Sequence, residues 1–374
     1  MPPLARRNAL CSPAPAMADT ASRQRFWTAA AGILLIAGAA LFLRRCSGTA
    51  PTADRDHEAA PTKAAPRASA AQLPRTVVAL PSSVASTSGA FASFGWGGEE
   101  GQVGRHRPDE ANPEGPMSLA SDGHGGALVL DQVNGRVTHV DASGKRAGSF
   151  KVPSRGAQDV ATADDGTVAV LDRMGSKDVK LFDQNGAPRG VLTLEGKGIK
   201  ESGAVTGVFT DGNKVYAETE HGPLTLLGTT DGVAGDRTQI PGRPSRDGTS
   251  YISAGITSAT DGRLWVSAIT RATNQHRFTR ELKMGTPVPS LLLLDSDKSG
   301  TIYLAMLAMP QENDPMVLLS CLAGKDGAPI ATLQIPANTM AEETFREFAV
   351  LDGGGVVHAE LSESGVTYRR YDCR

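Results

Sequence analysis

One short pattern recurs from residue 121 onward, and it constrains the fold more than any other feature of the sequence. A tight turn rich in aspartate and glycine is followed at once by an apolar run of strand length, as in SDGHGGALVLD from Ser121. Glycine supplies the positive φ that such turns require, and the aspartate can bond its own backbone. A strand that is apolar on both faces is covered on both faces. The pattern therefore predicts short strands in stacked sheets.

The pattern occurs six times, with turn glycines at Gly126, Gly166, Gly212, Gly262, Gly300 and Gly355. Their spacings are 40, 46, 50, 38 and 55 residues, and a four-stranded propeller blade takes about 40 to 50 residues. A second set of turns, VDASGK, FDQNGAP and AGKDGAP, is predicted to lead into outermost strands. The sequence therefore predicts an all-β fold, a six-bladed β-propeller over residues 89–374.

The composition agrees with this fold and limits the function. The chain has 42 glycines, 23 prolines and only 5% aromatic residues, as expected for many short strands joined by turns. The formal net charge is −2, which excludes a polybasic nucleic-acid-binding protein. We therefore predict no nucleic-acid partner.

The last blade predicts how the ring closes. Residues 347–352, 356–361 and 366–372 supply three strands, and the chain then ends without a fourth. The segment GAFASFGWG at 89–97 precedes the first blade and has no other place. Closure removes an unpaired strand edge. We therefore predict that residues 89–97 pair with residues 366–372 and complete blade six.

The first predicted blade resembles a known repeat. Residues 94–144 contain Phe94-Gly95, spaced glycines, the Pro-x-Gly of residues 113–115, an aspartate-glycine turn, and then Asp131, Asn134, Arg136 and Val137. This order is similar to the NHL repeat of β-propellers. The second blade matches less completely, and later blades keep only the strand and turn skeleton. The resemblance implies a propeller fold and names no ligand.

An apolar segment near the N-terminus predicts a membrane anchor. Residues 27–43 read WTAAAGILLIAGAALFL, without charge, and arginines lie on both sides. A spanning helix needs about 17 to 20 such residues. We therefore predict a cytoplasmic segment at 1–26, a transmembrane signal-anchor helix at 27–43, and a disordered Ala/Pro/Ser/Thr-rich linker at 44–88. A cleaved signal peptide is the alternative, because Ala37-Gly38-Ala39 has the small-x-small form of a cleavage site.

The anchor predicts where the protein lies. We expect a single-pass protein of a bacterial-type inner (cytoplasmic) membrane, with the propeller on the periplasmic or extracellular side. Arginines and lysines are nearly balanced across the segment, so orientation follows from the ability of long domains to translocate regardless of charge. Either Met1 or Met17 fits as the start of translation.

The basic residues of one predicted loop are the candidate partner-binding residues. Residues 271–290 read as a long irregular insert, and they contain Arg271, Arg277, Arg280 and Lys283 against a single Glu281. A loop with this excess of positive charge predicts an acidic partner. The alternative is that the loop is only solvated and binds no partner.

The remaining histidines, acidic residues and cysteines bear on metal, calcium and disulfide sites. Seven scattered histidines form no HxH or HExxH pair, and DSDKSG at 295–300 has calcium-ligand spacing but Met306 where a bidentate glutamate belongs. We predict no cofactor, with a channel metal or calcium as alternatives. Cys321 and Cys373 form either a disulfide or two buried thiols.

No catalytic residue is predicted, because the sequence has no nucleophile elbow, P-loop or dinucleotide fingerprint. The sequence thus favours a membrane-tethered propeller that acts as a binding scaffold for a protein or peptide partner. The alternative is a lactonase-like hydrolase or a lyase that uses a metal in the central channel.

Overall fold

The structure is a computed structural model, and it describes residues 75–78 and 89–373. Its strands form six sheets. The predicted cytoplasmic segment, the anchor at 27–43 and most of the linker lie outside the described residues. Within the described ranges, no helix combines the length and the apolar composition that a membrane crossing requires.

Three strands precede the first blade: β1 Arg75–Val78, β2 Ala90–Trp96 and β3 Gln102–Val103. Blade one contains β4 Ser118–Ser121, β5 Ala127–Asp131, β6 Arg136–Val140 and β7 Arg146–Lys151. Blade two contains β8 Asp159–Thr162, β9 Val168–Asp172, β10 Asp178–Phe182 and β11 Pro188–Thr193. A 3₁₀ turn, η1 Ser202–Ala204, leads into blade three, which contains β12 Val205–Asp211, β13 Lys214–Thr219, β14 Leu224–Thr229 and β15 Gln239–Ile240.

Blade four contains β16 Arg243–Pro244, β17 Ser250–Ser258, β18 Arg263–Thr270 and β19 Gln275–Met284. Blade five contains β20 Ser290–Ser296, β21 Ile302–Gln311, β22 Asp314–Leu322 and β23 Pro329–Pro336. Blade six contains β24 Phe348–Val350, β25 Val356–Ser362 and β26 Gly365–Tyr371, followed in the sheet by β2 and β3.

The ring closes as the sequence predicted. Strand β2 pairs antiparallel with β26, with Ala90 opposite Arg369 and Phe94 opposite Val366. Strand β3 then pairs in parallel with the end of β2. The fourth strand of blade six therefore comes from the start of the domain, and β26 is paired on both sides.

Blade four differs from the sequence-based expectation in two ways. Residues 271–290, expected to be an irregular insert, contain the ten-residue strand β19, because its polar side chains alternate with buried Phe278, Leu282 and Met284. In addition, β1, from the predicted linker, pairs in parallel with the outer edge of β19, with Thr76 opposite Leu282. Four residues of the linker thus belong to the propeller.

Apolar clusters fill the spaces between neighbouring blades. Leu119 and Phe94 pack between blades six and one, and Leu304 and Leu282 pack between blades four and five. Similar clusters join blades one and two, two and three, and five and six. The second strands of blades one, two and five, β5, β9 and β21, are buried on both faces, which explains their continuous apolar sequences. In β18 of blade four, buried and half-buried residues alternate.

Candidate functional site

One end of the central channel is formed by the turns that join the first and second strands of each blade. We call this end the turn mouth. Its backbone turns span residues 122–126, 163–167, 211–214, 245–250, 297–301 and 351–355. Residues from all six turns line the channel cavity, whose volume is about 430 Å³. The repeated turn in the sequence therefore builds a single concave site.

The glycines of the turn mouth differ at two positions from those predicted. Gly262 lies between β17 and β18, at the opposite end of blade four, and the turn-mouth glycine of that blade is Gly248. In the first turn Gly125 has a positive φ and Gly126 does not. Glycine is required at position 126 because any side chain would clash there: a Cβ would lie 2.3 Å from the Val140 carbonyl oxygen.

The channel contains an aromatic ring between two cations. The Phe209 ring, on innermost strand β12, lies 4.6 Å from the Arg243 guanidinium and 4.9 Å from that of Arg346. Such cation–π contacts hold the guanidinium groups at defined positions. Blades three, four and six thus each contribute one side chain to this layer.

Arg346 is bound to a buried carboxylate of blade two. Its Nη2 donates to Asp159 Oδ2 at 2.6 Å, and Asp159 also accepts from Ser118 Oγ at 2.6 Å and the Val208 amide at 2.9 Å. Burial raises the pKa of Asp159, while Arg346 and these donors oppose that shift. The network ties blades one, two, three and six together beside the channel.

Arg243 forms the corresponding pair between blades three and four. Its Nε and Nη2 donate to the two carboxylate oxygens of Glu218 at 2.7 and 2.9 Å, and its Nη1 donates to the Leu294 carbonyl. Burial is the largest influence and alone would raise the pKa of Glu218, but the charge of Arg243 together with hydrogen bonds from His221 and Arg243 lowers that pKa to about 2. Glu218 is therefore a fixed negative charge at neutral pH.

Arg246 crosses the turn mouth. Its two terminal nitrogens donate to Asp295 of blade five and Asp352 of blade six, both at 2.8 Å. Asp352 also pairs with Lys298, which is about half exposed. Burial opposes ionisation of Asp352, yet Lys298 and Arg246 hold its pKa below the usual value. Three blades are thus joined by charge at the rim.

These pairings determine what the channel can do chemically. A general acid or base needs a pKa near the working pH, whereas Glu218 is held ionised by Arg243. Among the described residues, no three His, Cys, Asp or Glu side chains converge closely enough to hold a metal ion. The residues present therefore do not fit a channel metal.

The DSDKSG segment is an ordinary inner turn of blade five. Asp297 Oδ1 accepts from the backbone amides of Ser299 and Thr301, and Asp297 Oδ2 accepts from the Tyr303 hydroxyl. Asp295 is paired with Arg246. Because the carboxylates already have donors, the segment does not fit the predicted alternative of a calcium loop.

The four candidate partner-binding residues do not form one cluster. Arg271 donates to both oxygens of Asp211 at 2.6 and 3.0 Å, and Arg280 donates to the Asp326 carbonyl and Thr76 Oγ1. Arg277 is exposed beside the turn mouth and donates to Thr249 and Ser250 hydroxyls. Lys283 is exposed near the other end of β19. Arg271 and Arg277 therefore lie at the turn mouth, and the other two do not.

Cys321 and Cys373 are joined in the structure. They form a disulfide between β22 and the residues after β26, with their Cα atoms 6.3 Å apart. Blades five and six are therefore linked covalently.

The channel residues were not predictable from local sequence patterns. Arg243, Arg246 and Arg346 come from short polar segments of different blades, and only the closed ring brings them together. The one sequence signal for two of these arginines is their position on either side of Pro244-Ser245, in a segment without the apolar run that predicts an inner strand.

Comparisons with known proteins give similarity at low identity. No family model and no curated protein matches the chain. Hydrazine synthase of Kuenenia stuttgartiensis is 14% identical, with a TM-score of 0.44 over 67% of this chain and 76% of that chain. Virginiamycin B lyase from Staphylococcus aureus is 12% identical, with a TM-score of 0.41 over 68% and 94%. BamB from Moraxella catarrhalis is 13% identical, with a TM-score of 0.34 over 69% and 86%. At these values the similarities carry no argument about function.

Proposed function

We propose that this protein is a binding module that takes a segment of a partner protein or peptide at the turn mouth. The observation that carries this proposal is the convergence of all six inner turns on one cavity of about 430 Å³. Rigid loops on a closed scaffold are a common location for binding residues. Fold alone does not assign a function, so the proposal rests on the residues of the site.

The charges of the channel support binding over catalysis. Arg243, Arg246 and Arg346 are held by carboxylates and by Phe209, so they are positioned before any ligand arrives. Preorganised polar groups reduce the entropic cost of binding. By contrast, the hydrolase or lyase alternative needs a metal donor set that the described residues do not supply.

The exposed charges of the rim favour a charged, polar segment. Lys298 is 56% exposed at its side chain, and Arg277 is exposed with hydroxyl partners. Arg277 can reach a carboxylate of a partner without first breaking an ion pair, and Lys298 can do so while Asp352 keeps its pair with Arg246. We propose that the partner presents acidic residues to these two cations.

We also propose that residues 27–43 anchor the protein in a bacterial-type inner membrane, with the propeller outside the cytoplasm. The uncharged apolar run supports the anchor. The Cys321–Cys373 disulfide supports an oxidising compartment, since such bonds are rare in the cytoplasm. Protease treatment of spheroplasts tests the orientation, because an external propeller is digested while the membrane stays sealed. Protection until lysis contradicts this orientation.

Site-directed photo-crosslinking tests the binding site in the full-length, membrane-bound protein. A photoreactive residue replaces either Asp164, exposed at the turn mouth, or Val191, 55% exposed on outer strand β11. We expect a discrete crosslinked product from position 164 and none from position 191. Equal products from both positions, or none from position 164, contradict a partner at the turn mouth.

A matched pair of charge reversals tests the role of the rim. Arg277→Glu and Lys283→Glu reverse the same charge at exposed positions near opposite ends of β19. We expect Arg277→Glu alone to reduce the crosslinked product from position 164. The reduction should diminish as salt rises, because exposed charges are screened within about 8 Å at physiological ionic strength. Equal effects of the two variants contradict the assignment.

A further inference from the structure

Two arginines lie side by side at the end of the propeller opposite the turn mouth. Arg105 and Arg107 belong to the connection between β3 and β4. They meet Glu342, from the connection between β23 and β24, and Glu363, from the turn between β25 and β26. None of these residues takes part in the channel networks described above.

The inner side of this arginine pair is fixed by a buried carboxylate. The Nε atoms of Arg105 and Arg107 both donate to Glu342 Oε1 at 2.6 Å, and the Glu342 side chain is fully buried. The other oxygen, Oε2, has no hydrogen-bond partner among the described residues. The two guanidinium groups are therefore the main compensation for this charge, and removing them would leave it buried and unpaired.

An aromatic ring fixes one of the two arginines further. The Arg105 guanidinium lies 5.0 Å from the centre of the Trp96 ring, and Trp96 Nε1 donates to the Ser362 carbonyl at 2.8 Å. The Arg105 side chain is only 15% exposed. The arginine pair is thus held in place by groups other than Glu363.

The outer side of the pair is occupied by an exposed carboxylate. Glu363 Oε2 accepts from Arg105 Nη2 at 2.8 Å, and Glu363 Oε1 accepts from Arg107 Nη2 at 3.2 Å. The Glu363 side chain is 70% exposed, so these ion pairs are of the weak, solvent-screened kind. The geometry shows that one carboxylate bridges both guanidinium groups.

The balance of charge favours replacement by another carboxylate. Arg105 and Arg107 carry two positive charges and Glu342 one negative charge, so one positive charge remains when Glu363 turns away. A carboxylate from outside would find both donors already oriented, which is the arrangement that favours bidentate recognition.

We propose that Arg105 and Arg107 form a carboxylate-binding clamp, in which Glu363 is an internal occupant that an acidic residue of a peptide displaces. The site is separate from the turn mouth, and it does not depend on the function proposed there. Because Glu363 competes for the same two donors, it weakens the binding of the acidic peptide.

Peptide binding to the full-length protein in neutral detergent tests the clamp. The probes are fluorescently labelled hexaglutamate and hexaglutamine, and the measurement is fluorescence anisotropy. Glu363→Gln removes the internal competitor, so we expect the Kd for hexaglutamate to fall about fivefold, the factor expected for the loss of one exposed ion pair. Hexaglutamine should bind neither protein measurably.

A matched control separates competition from general charge. Glu220→Gln removes one exposed negative charge from the turn between β13 and β14, at the same end of the propeller. This variant should leave the Kd for hexaglutamate unchanged. Adding Arg107→Gln to Glu363→Gln should abolish the gain, and Arg107→Lys, which keeps the charge without the two-pronged donor, should restore it only in part.

Three results overturn the proposal. The first is that Glu363→Gln binds hexaglutamate no more tightly than Glu220→Gln. The second is that the gain survives Arg107→Gln in a protein whose Tm shows that it is folded. The third is that hexaglutamine binds as tightly as hexaglutamate. A purely structural ion-pair network gives the first result, because Glu363→Gln would then lower the Tm without improving binding.

Discussion

Arg136 and Asp131 form an ion pair, in which Arg136 Nε lies 2.9 Å from Asp131 Oδ2. Both residues belong to blade one, and both also bond the segment that closes the ring. Asp131 is fully buried and also accepts from the Gly104 amide. The remaining nitrogens of Arg136 donate to the carbonyls of Gly98, Glu99 and Gln102. Asp131 and Arg136 therefore fix the chain between β2 and β4.

We expect Arg136→Gln to lower the free energy of unfolding by about 3 kcal/mol, because it leaves a buried carboxylate without its cation. The measurement is urea unfolding at neutral pH. Arg146→Gln is the control, since Arg146 pairs with Glu100, which is 80% exposed, and such pairs contribute about 0 to 1 kcal/mol. Equal effects of the two variants would refute the role given to Arg136.

The closing strand should contribute strongly through one side chain. Phe94 is buried on β2 and packs edge-on against Tyr368, with ring centroids 5.8 Å apart. We expect Phe94→Ala to cost about 3 to 5 kcal/mol and to lower the Tm by several degrees. Ser93→Ala, at the exposed neighbouring position, should have little effect. An unchanged Tm for Phe94→Ala would show that this side chain does not stabilise the closure.

Acid should weaken the contact between blades three and four. The pKa of Glu218 is about 2 in the folded protein against an ordinary value of 4.5. A depressed pKa stabilises the fold above the unfolded-state value, and this contribution disappears as the pH falls from about 4.5 towards 2. The stability difference between wild type and Glu218→Gln should therefore decrease by about 2 kcal/mol from pH 7 to pH 3.

Exposed Glu220 provides the control for this pH dependence. Glu220→Gln should differ from wild type by less than about 0.5 kcal/mol at either pH. If the Glu218→Gln difference stays constant between pH 7 and pH 3, the Arg243 pair does not stabilise the folded protein in the way described.

The disulfide should contribute through the chain that it closes. Cys321 and Cys373 are 52 residues apart, and closing a loop of that size corresponds to about 4 kcal/mol, with typical values of about 2 to 4. Cys373→Ala should therefore lower the free energy of unfolding by about 3 kcal/mol. Dithiothreitol should destabilise wild type similarly and leave the variant unchanged. Insensitivity of wild type to reductant contradicts the bond.

The blades were predictable from local turn chemistry, and ring closure was predictable from the strand that the last blade lacks. Turn residues and apolar runs identified the blades, and the missing fourth strand at the C-terminus identified the role of residues 89–97. The turns VDASGK, FDQNGAP and AGKDGAP do lead into outermost strands β7, β11 and β23. The turns depend on neighbours in the sequence, whereas closure pairs Ala90–Trp96 with the distant strand Gly365–Tyr371.

Blade four was misaligned for a physical reason. Its innermost strand β16 is only two residues long, Arg243–Pro244, and proline cannot donate to the ladder. The turn-mouth signal Asp247-Gly248 is therefore not followed by an apolar run, while Gly262 precedes one on β18. The channel cluster was not predictable either, since Arg243, Phe209 and Arg346 meet only in the closed ring.

The pairing of β2 with β26 also sets an order of events during synthesis. Strand β2 leaves the ribosome before any blade exists, whereas its partner, Gly365–Tyr371, is made only after the strands of blades one to five. At translation rates of about 5 to 20 residues per second, β2 waits on the order of tens of seconds for that partner. For that interval the nascent chain has one exposed apolar strand at each end of a growing arc. A chaperone that holds β2 during this time would therefore protect the step at which aggregation competes most directly with folding.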